Sequence, residues 1–178
     1  SIRHKTSFEE KYVPDAGMML LAADEKLDKE KLERAVKLKT IGVLGNSRHK
    51  LSQELCTEMG IVVFDDPKNN PRNPEFIAKR MIDFINKGDT YMSVNFPNLQ
   101  LPRMAGAHRL IHIHKNVPGI MAQINQVFAM HHMNILGQFL MTNSSIGYVI
   151  TDVSNEYDKQ VLKDLKHINH TIKFRILY

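Results

Sequence analysis

Hydrophobic and polar positions follow two different rhythms along this chain, and the change falls near residue 103. In the first part, short apolar runs at 18–22, 40–44 and 61–64 alternate with amphipathic stretches. Asp28 is placed to cap a helix reaching Val36, with Leu27 and Leu32 spaced as a staple across that cap. Residues 51–59 read as a second helix that Gly60 stops. Strands alternating with helices predict a parallel α/β layer, thin at three strands. A loop is expected over 65–74, where Pro67, Asn69, Asn70, Pro71, Asn73 and Pro74 crowd together. The helix after it is capped by Asn73, opened by Pro74, buried through Ile77, Met81, Phe84 and Ile85, and ended by Gly88. Residues 91–101 read as an extended connector broken by Pro97, and Met104-Ala105-Gly106 as a hinge.

From His108 onward the pattern is sharper. Arg109, Ile111 and Ile113 fall on one face of a strand, and Leu110, His112 and His114 on the other. Ile120, Ile124, Val127 and Phe128 mark a helix, 134–141 and 146–152 two strands about a turn at 142–144. Val161, Leu162, Leu165 and Ile168 mark another helix, and Ile172, Phe174 and Ile176 alternate with Lys173 and Arg175 in a last strand. The order βαββαβ predicts a ferredoxin-like α+β sandwich with both helices on one face. Pro118 fits the first position of its first helix, whose unpaired N–H groups favour a carboxylate.

Charge and composition narrow the function. The net charge of +5 is uneven, with 16 Lys and Arg against 15 Asp and Glu over 1–100 and 8 against 4 over 101–178. Lys159, Lys163 and Lys166 share a helix face, and Lys173 and Arg175 a strand; a solvated surface is the expectation, not a phosphate-tracking stripe. An RNA-recognition module of the same βαββαβ order needs exposed aromatics on its central strands, and Gly147-Tyr148 alone falls short. No run long enough for a membrane helix and no signal-peptide pattern occur, so a cytoplasmic protein is expected, with neither nucleic acid nor membrane as partner. The lone Cys56 sits at helical spacing with Leu51, Leu55 and Met59, as a buried, inert thiol. His112, His114, His131 and His132 lack a cysteine or carboxylate to complete a zinc set, and Ser144 and Ser145 lack an adjacent base, so no metal site and no nucleophile are expected.

Several motifs in combination are more specific. Val94-Asn95-Phe96-Pro97 with Leu101-Pro102, Arg109 to His114 with Asn116 and Pro118-Gly119, Asn134-Ile135 with Gln138, Gly147-Tyr148-Val149 and Arg175-Ile176-Leu177-Tyr178 together resemble the C-terminal half of the D-3-phosphoglycerate dehydrogenase family, which ends in a serine-sensing ACT domain. Residues 32–67 and the helix after Pro74 resemble, more loosely, two sections of that family's flavodoxin-like substrate-binding domain. The resemblance implies a truncated substrate-binding domain and linker over 1–102 and an ACT domain over 103–178.

In the family a whole NAD-binding domain separates those two sections; here a Pro- and Asn-rich loop joins them. No Gly-x-Gly-x-x-Gly occurs, and Gly42-Val43-Leu44-Gly45 has the wrong spacing. The family's catalytic histidine precedes Gly-Gly-Ser, where this chain has Asn69-Asn70-Pro71-Arg72-Asn73. Its phosphate-gripping loop is replaced by Ala22-Ala23-Asp24-Glu25-Lys26, with a displaced echo in Arg3-His4-Lys5-Thr6. No catalytic or cofactor-binding residue is therefore expected in this chain. By resemblance, L-serine is held by His114, Asn116 and Asn134 with Val117, Pro118, Gly119 and Ile120, between two ACT domains that dimerise edge to edge through their first strands. A homodimer, a higher oligomer and pairing with a full-length dehydrogenase subunit all stay open. So does a shortened form of an active, serine-inhibited NAD-dependent enzyme.

Overall fold

The computed structural model describes residues 10–21, 26–45, 51–65, 74–154 and 159–178. A 3-10 turn at Glu10–Asp15 leads into β1 (Met18–Leu21), α1 (Lys29–Arg34), β2 (Thr40–Val43), α2 (Gln53–Glu58) and β3 (Val62–Asp65). The three strands pair in parallel in the order β1-β2-β3. Asp28 accepts from the Lys31 amide at 3.0 Å and starts α1, and Ser52 does the same for α2 through the Leu55 amide at 3.2 Å. Leu27 and Leu32 are buried together with Ile41, Val63 and Cys56. The Cys56 thiol is fully enclosed, and burial pushes its pKa up to about 12, so it packs as an inert apolar group. The Asn73 cap, the rest of the loop over 66–73, Ala22 to Glu25, and Arg3 to Thr6 lie outside the described residues.

α3 (Pro74–Lys87) crosses the parallel layer, burying Ile77, Met81 and Phe84. Gly42 makes that crossing possible, because a Cβ there would stand 2.5 to 2.8 Å from Ile77, Met81 and Leu20. Residues 90–97 are more than a connector. Ser93 bridges Phe64 in antiparallel sense, and the Val94 amide donates to the Val63 carbonyl at 2.9 Å, closing the outer edge of β3. Asn95 holds this cover in place, accepting from the Val63 amide and donating to the Ile61 carbonyl and Thr57 hydroxyl.

After a turn at Ala105 and Gly106, β4 (Ala107–Lys115), α4 (Ile120–Met130), β5 (Ile135–Thr142), β6 (Ile146–Ser154), α5 (Lys159–Lys166) and β7 (Thr171–Ile176) complete the chain. Their antiparallel sheet runs β5-β6-β4-β7, the ferredoxin-like arrangement. Leu110, Val149 and Val153 face α4 and α5 and pack with Ile120, Ile124, Phe128, Val161 and Leu165. Ile111, Ile113, Tyr148 and Ile150 face the other way and share one core with Val62, Phe64, Ile77 and Phe84. The sheet is therefore covered on both faces.

Two expectations change here, and a third observation bears on the RNA-binding alternative. β4 lies in the middle of the sheet, hydrogen-bonded to β6 and β7, so two copies cannot join through their first strands; β5 and β7 are the edges. Lys173 and Arg175 are half-buried, not solvated. Lys173 donates to the Leu38 and Met59 carbonyls, and Arg175 donates to the Ile85 carbonyl while its guanidinium stacks 4.7 Å over Phe84. Tyr148 is fully buried with its hydroxyl donating to the Gly88 carbonyl at 2.8 Å, which removes the single aromatic an RNA surface could have used.

Arg109 ties these layers together. It is 1% exposed, and its five N–H donors make five bonds: two to the Asp152 carboxylate at 2.7 Å, and one each to the Lys87, Leu101 and Pro102 carbonyls. Arg109→Met strands a buried carboxylate, and we expect a loss of about 3–5 kcal/mol in urea unfolding. Adding Asp152→Asn should recover part of it; equal stability of Arg109→Met and wild type would refute the role.

Candidate functional site

The site predicted for a small zwitterion begins where β4 ends. His114 points to the helix-covered face and lies over Gly147, its partner on β6. A Cβ on Gly147 would collide with Cε1 and Nε2 of the imidazole, so only glycine lets the ring rest against the neighbouring backbone. Gly147 and Asn143 are positions whose part in the site the sequence does not announce. Gly147 looks like any strand glycine, and Asn143 like a turn residue.

The tautomer of His114 follows from its surroundings. Nδ1 lies 2.7 Å from the Lys115 carbonyl, and a carbonyl only accepts, so Nδ1 carries the proton. Burial lowers the pKa, leaving the ring neutral near pH 7. Nε2 is then a bare acceptor, buried and without a partner. His114 is thus neither a surface histidine nor a satisfied one. Its one unused lone pair matches a donor such as a hydroxyl or an ammonium.

His112 stands behind it, with ring centroids 6.1 Å apart. Its Nε2 is 2.7 Å from the Thr171 hydroxyl, its Nδ1 is buried without a partner, and Phe174 contacts its far side edge-on. Burial first, then the nearby His114, push its pKa down to about 4.

Asn116 is exposed and tethered: its Nδ2 donates to the Asn143 carbonyl at 2.7 Å, leaving its side-chain oxygen for another donor. Asn143 in turn shapes the β5–β6 turn, accepting from the Ser145 and Ile146 amides. Val117 and Pro118 follow, and the helix starts later than the sequence suggests. Pro118 precedes the cap, Gly119 is the cap at φ +88°, and Ile120 is the first helical residue. The chain must turn left-handed there to bring α4 back over the sheet, which glycine does without strain. No side chain caps α4, so its first-turn amides have neither a capping side chain nor an intrahelical partner.

Asn134 is elsewhere in the chain. Its carbonyl accepts from the Ser154 amide, next to Ala107, at the opposite end of the sheet from His114. At about 3.3 Å per residue, the eight-residue β5 separates Asn134 from the Asn116 end by roughly 25 Å. Within one copy, His114 and Asn116 lie at the same end of the sheet and Asn134 at the other.

Among the described residues no group of three His, Cys, Asp or Glu side chains gathers to hold a metal. His131 pairs with Asp164 at 2.6 Å, a contact between α4 and α5. Among the described residues no helix is long and apolar enough to cross a membrane.

Residues 110–173 match the family described as the AHAS small subunit-like ACT domain, and this part of the chain has the ferredoxin-like fold. The C-terminal part of the chain is similar to D-3-phosphoglycerate dehydrogenases: 42% identical over 102 residues to that of Haemophilus influenzae and 37% over 102 residues to that of Dictyostelium discoideum, in each case over 57% of this chain. The chain spans about a quarter of the length of these curated relatives, 25% in both. Among solved structures, the ACT domain from GTP pyrophosphokinase of Chlorobium tepidum overlaps 40% of this chain and 96% of its own, at TM-score 0.35 and 14% identity.

The depressed pKa of His112 makes stability depend on pH. An ordinary histidine titrates near 6.5, so between pH 6.5 and about 4 the unfolded chain binds a proton that the folded chain refuses. The stabilising contribution is whole above pH 6.5 and is lost as pH falls towards 4, at a cost of about 3 kcal/mol. Urea unfolding at a series of pH values should show this slope, and His112→Phe should flatten it; an unchanged slope would place the titration elsewhere.

Proposed function

We propose that this chain is an L-serine-responsive regulatory module of a phosphoglycerate-dehydrogenase-like protein, working as a homodimer joined along β5. One observation carries the reading: His114 has an unpartnered acceptor at the same end of the sheet as Asn116, while Asn134 sits at the far end of β5, an edge strand with which, among the described residues, no further strand pairs. That edge exposes Leu136, Phe139, Leu140 and Met141 at 39–44% each, a liability unless another strand lies along it.

A two-fold axis through the middle of β5 sets the Asn134 end of one copy against the Asn143 end of its partner. Asn143 is where Asn116 is tethered, so the partner's Asn116 and His114 come beside Asn134. The dimer then carries two equal seams. In each, His114 Nε2 accepts from the serine hydroxyl, the oxygens of Asn116 and Asn134 accept from the ammonium, and the α4 amides after Gly119 meet the carboxylate. Val117, Pro118 and Ile120 shape the turn around it. A full-length dehydrogenase subunit with the same edge could take the place of the second copy.

The packing around Gly42 supports the reading that this chain holds no dinucleotide of its own. Gly42, the first glycine of the nearest candidate loop, is consumed by close packing against α3 and cannot admit a pyrophosphate. Regulation of a catalytic partner is the proposed role.

Complementation tests the shared seam. His114→Ala and Asn134→Ala should each abolish L-serine binding in calorimetric titration, because each spoils both seams of its dimer. Mixed in equal amounts and re-annealed, the two variants should regain binding at about a quarter of the wild-type stoichiometry, since random pairing makes about half of the dimers mixed and one of the two seams in each is whole. Wild type at a hundred times its dissociation constant should gain about 2.7 kcal/mol of stability. A mixture that stays silent would overturn the two-copy site, and wild type that ignores L-serine but binds glycine or L-alanine would change the ligand.

A further inference from the structure

A groove of about 600 Å³ lies at the opposite edge of the sheet, between α5 and the outer part of β7. Its floor is Leu162, Phe174 and Ile176 with His108, and its rim is Lys159, Lys163 and Lys166. Pairing of β5 edges leaves it open, because β5 and β7 bound opposite sides of the sheet.

The polar surface of α5 is split by sign. Asp164 turns towards α4, where it accepts from Gln160 and pairs with His131. The three lysines, spaced i, i+4 and i+7, turn towards the groove and are exposed. Among the described residues no Asp or Glu lines it, so within that lining the three like charges meet no carboxylate. Lys163 and Lys166 stand in the last turn of α5, where a cation suits the helix dipole; Lys159 stands in the first turn, where it does not. The dipole therefore accounts for two of the three. Beneath this rim, Ile176 keeps 43% of its surface in water on an edge strand, and the Phe174 ring lies half-buried. A solvated lysine face needs no apolar floor, and a purely apolar patch needs no cationic rim.

We propose that this groove binds a small organic phosphate: an anionic head held by Lys159, Lys163 and Lys166, and an apolar ring or chain seated on Phe174, Leu162 and Ile176. The volume falls within the 300–1,000 Å³ usual for small-molecule sites. The head is recognised by charge, so binding weakens with salt; the body is recognised by area, so the head alone binds poorly.

The test is calorimetry with amide chemical-shift mapping, using ADP as the ring-bearing probe, decyl phosphate as the chain-bearing probe and inorganic pyrophosphate as charge alone. At least one of the first two should bind saturably, shift the amides of α5 and β7, and bind about tenfold tighter than pyrophosphate. Which one binds tells ring from chain. Lys163→Glu should weaken it about tenfold at an unchanged melting temperature, and raising KCl from about 50 to about 300 mM should weaken it several-fold. Ile176→Gln should weaken ADP or decyl phosphate and leave pyrophosphate as it was. The proposal is overturned if neither probe binds, if pyrophosphate binds as tightly, if Lys163→Glu changes nothing, or if the shifted amides lie elsewhere.

Discussion

One guanidinium fixes how the two halves of this chain meet. Arg109 carries a charge that cannot be given up and lies where water cannot reach it, so the surroundings must supply every partner. They do so from three separate segments: Asp152 on β6, the end of α3 through Lys87, and the approach to β4 through Leu101 and Pro102. A fork with five fixed directions tolerates little sliding. Once it is satisfied, α3 must lie against the lower face of the sheet, and Tyr148, Lys173 and Arg175 find carbonyls of that same layer within reach.

This arrangement shows what local pattern could and could not disclose. Alternation along 107–115 correctly placed Arg109, Ile111 and Ile113 on one face and the two histidines on the other, and the caps at Asp28, Gly60 and Gly88 stand where the residue types put them. These are properties of residues near each other in sequence. What covers a face is settled by residues far away. Lys173 and Arg175 read as solvated because charge usually is; their nitrogens reach carbonyls of Leu38, Met59 and Ile85, a relation between positions 90 to 135 apart. The interior position of β4 is likewise a matter of strand order, which alternation does not encode.

The candidate site was legible in part for a similar reason. His114 and Asn116 are close in sequence and close in space. The state of the imidazole depends on one carbonyl and one missing side chain, Lys115 and Gly147, and neither has a pattern of its own. Asn134 belongs to the same motif set yet sits at the far end of its strand, so a site using all three needs more than one copy. Pro118 misled by one structural step, since a left-handed Gly119 intervenes before α4 can begin.

Because the sheet is covered twice, each long strand carries two independent messages. Even-numbered residues of β4 answer to α4 and α5, odd-numbered ones to the parallel layer. A transplant of residues 107–176 into an unrelated host would therefore travel with its helical side complete and its other side undressed: a guanidinium, a phenol, an ammonium and a second guanidinium, all accustomed to shelter, would be left facing solvent around a bare aliphatic surface. Shuffling this module between proteins thus demands either that its floor come along or that those four positions be rewritten first.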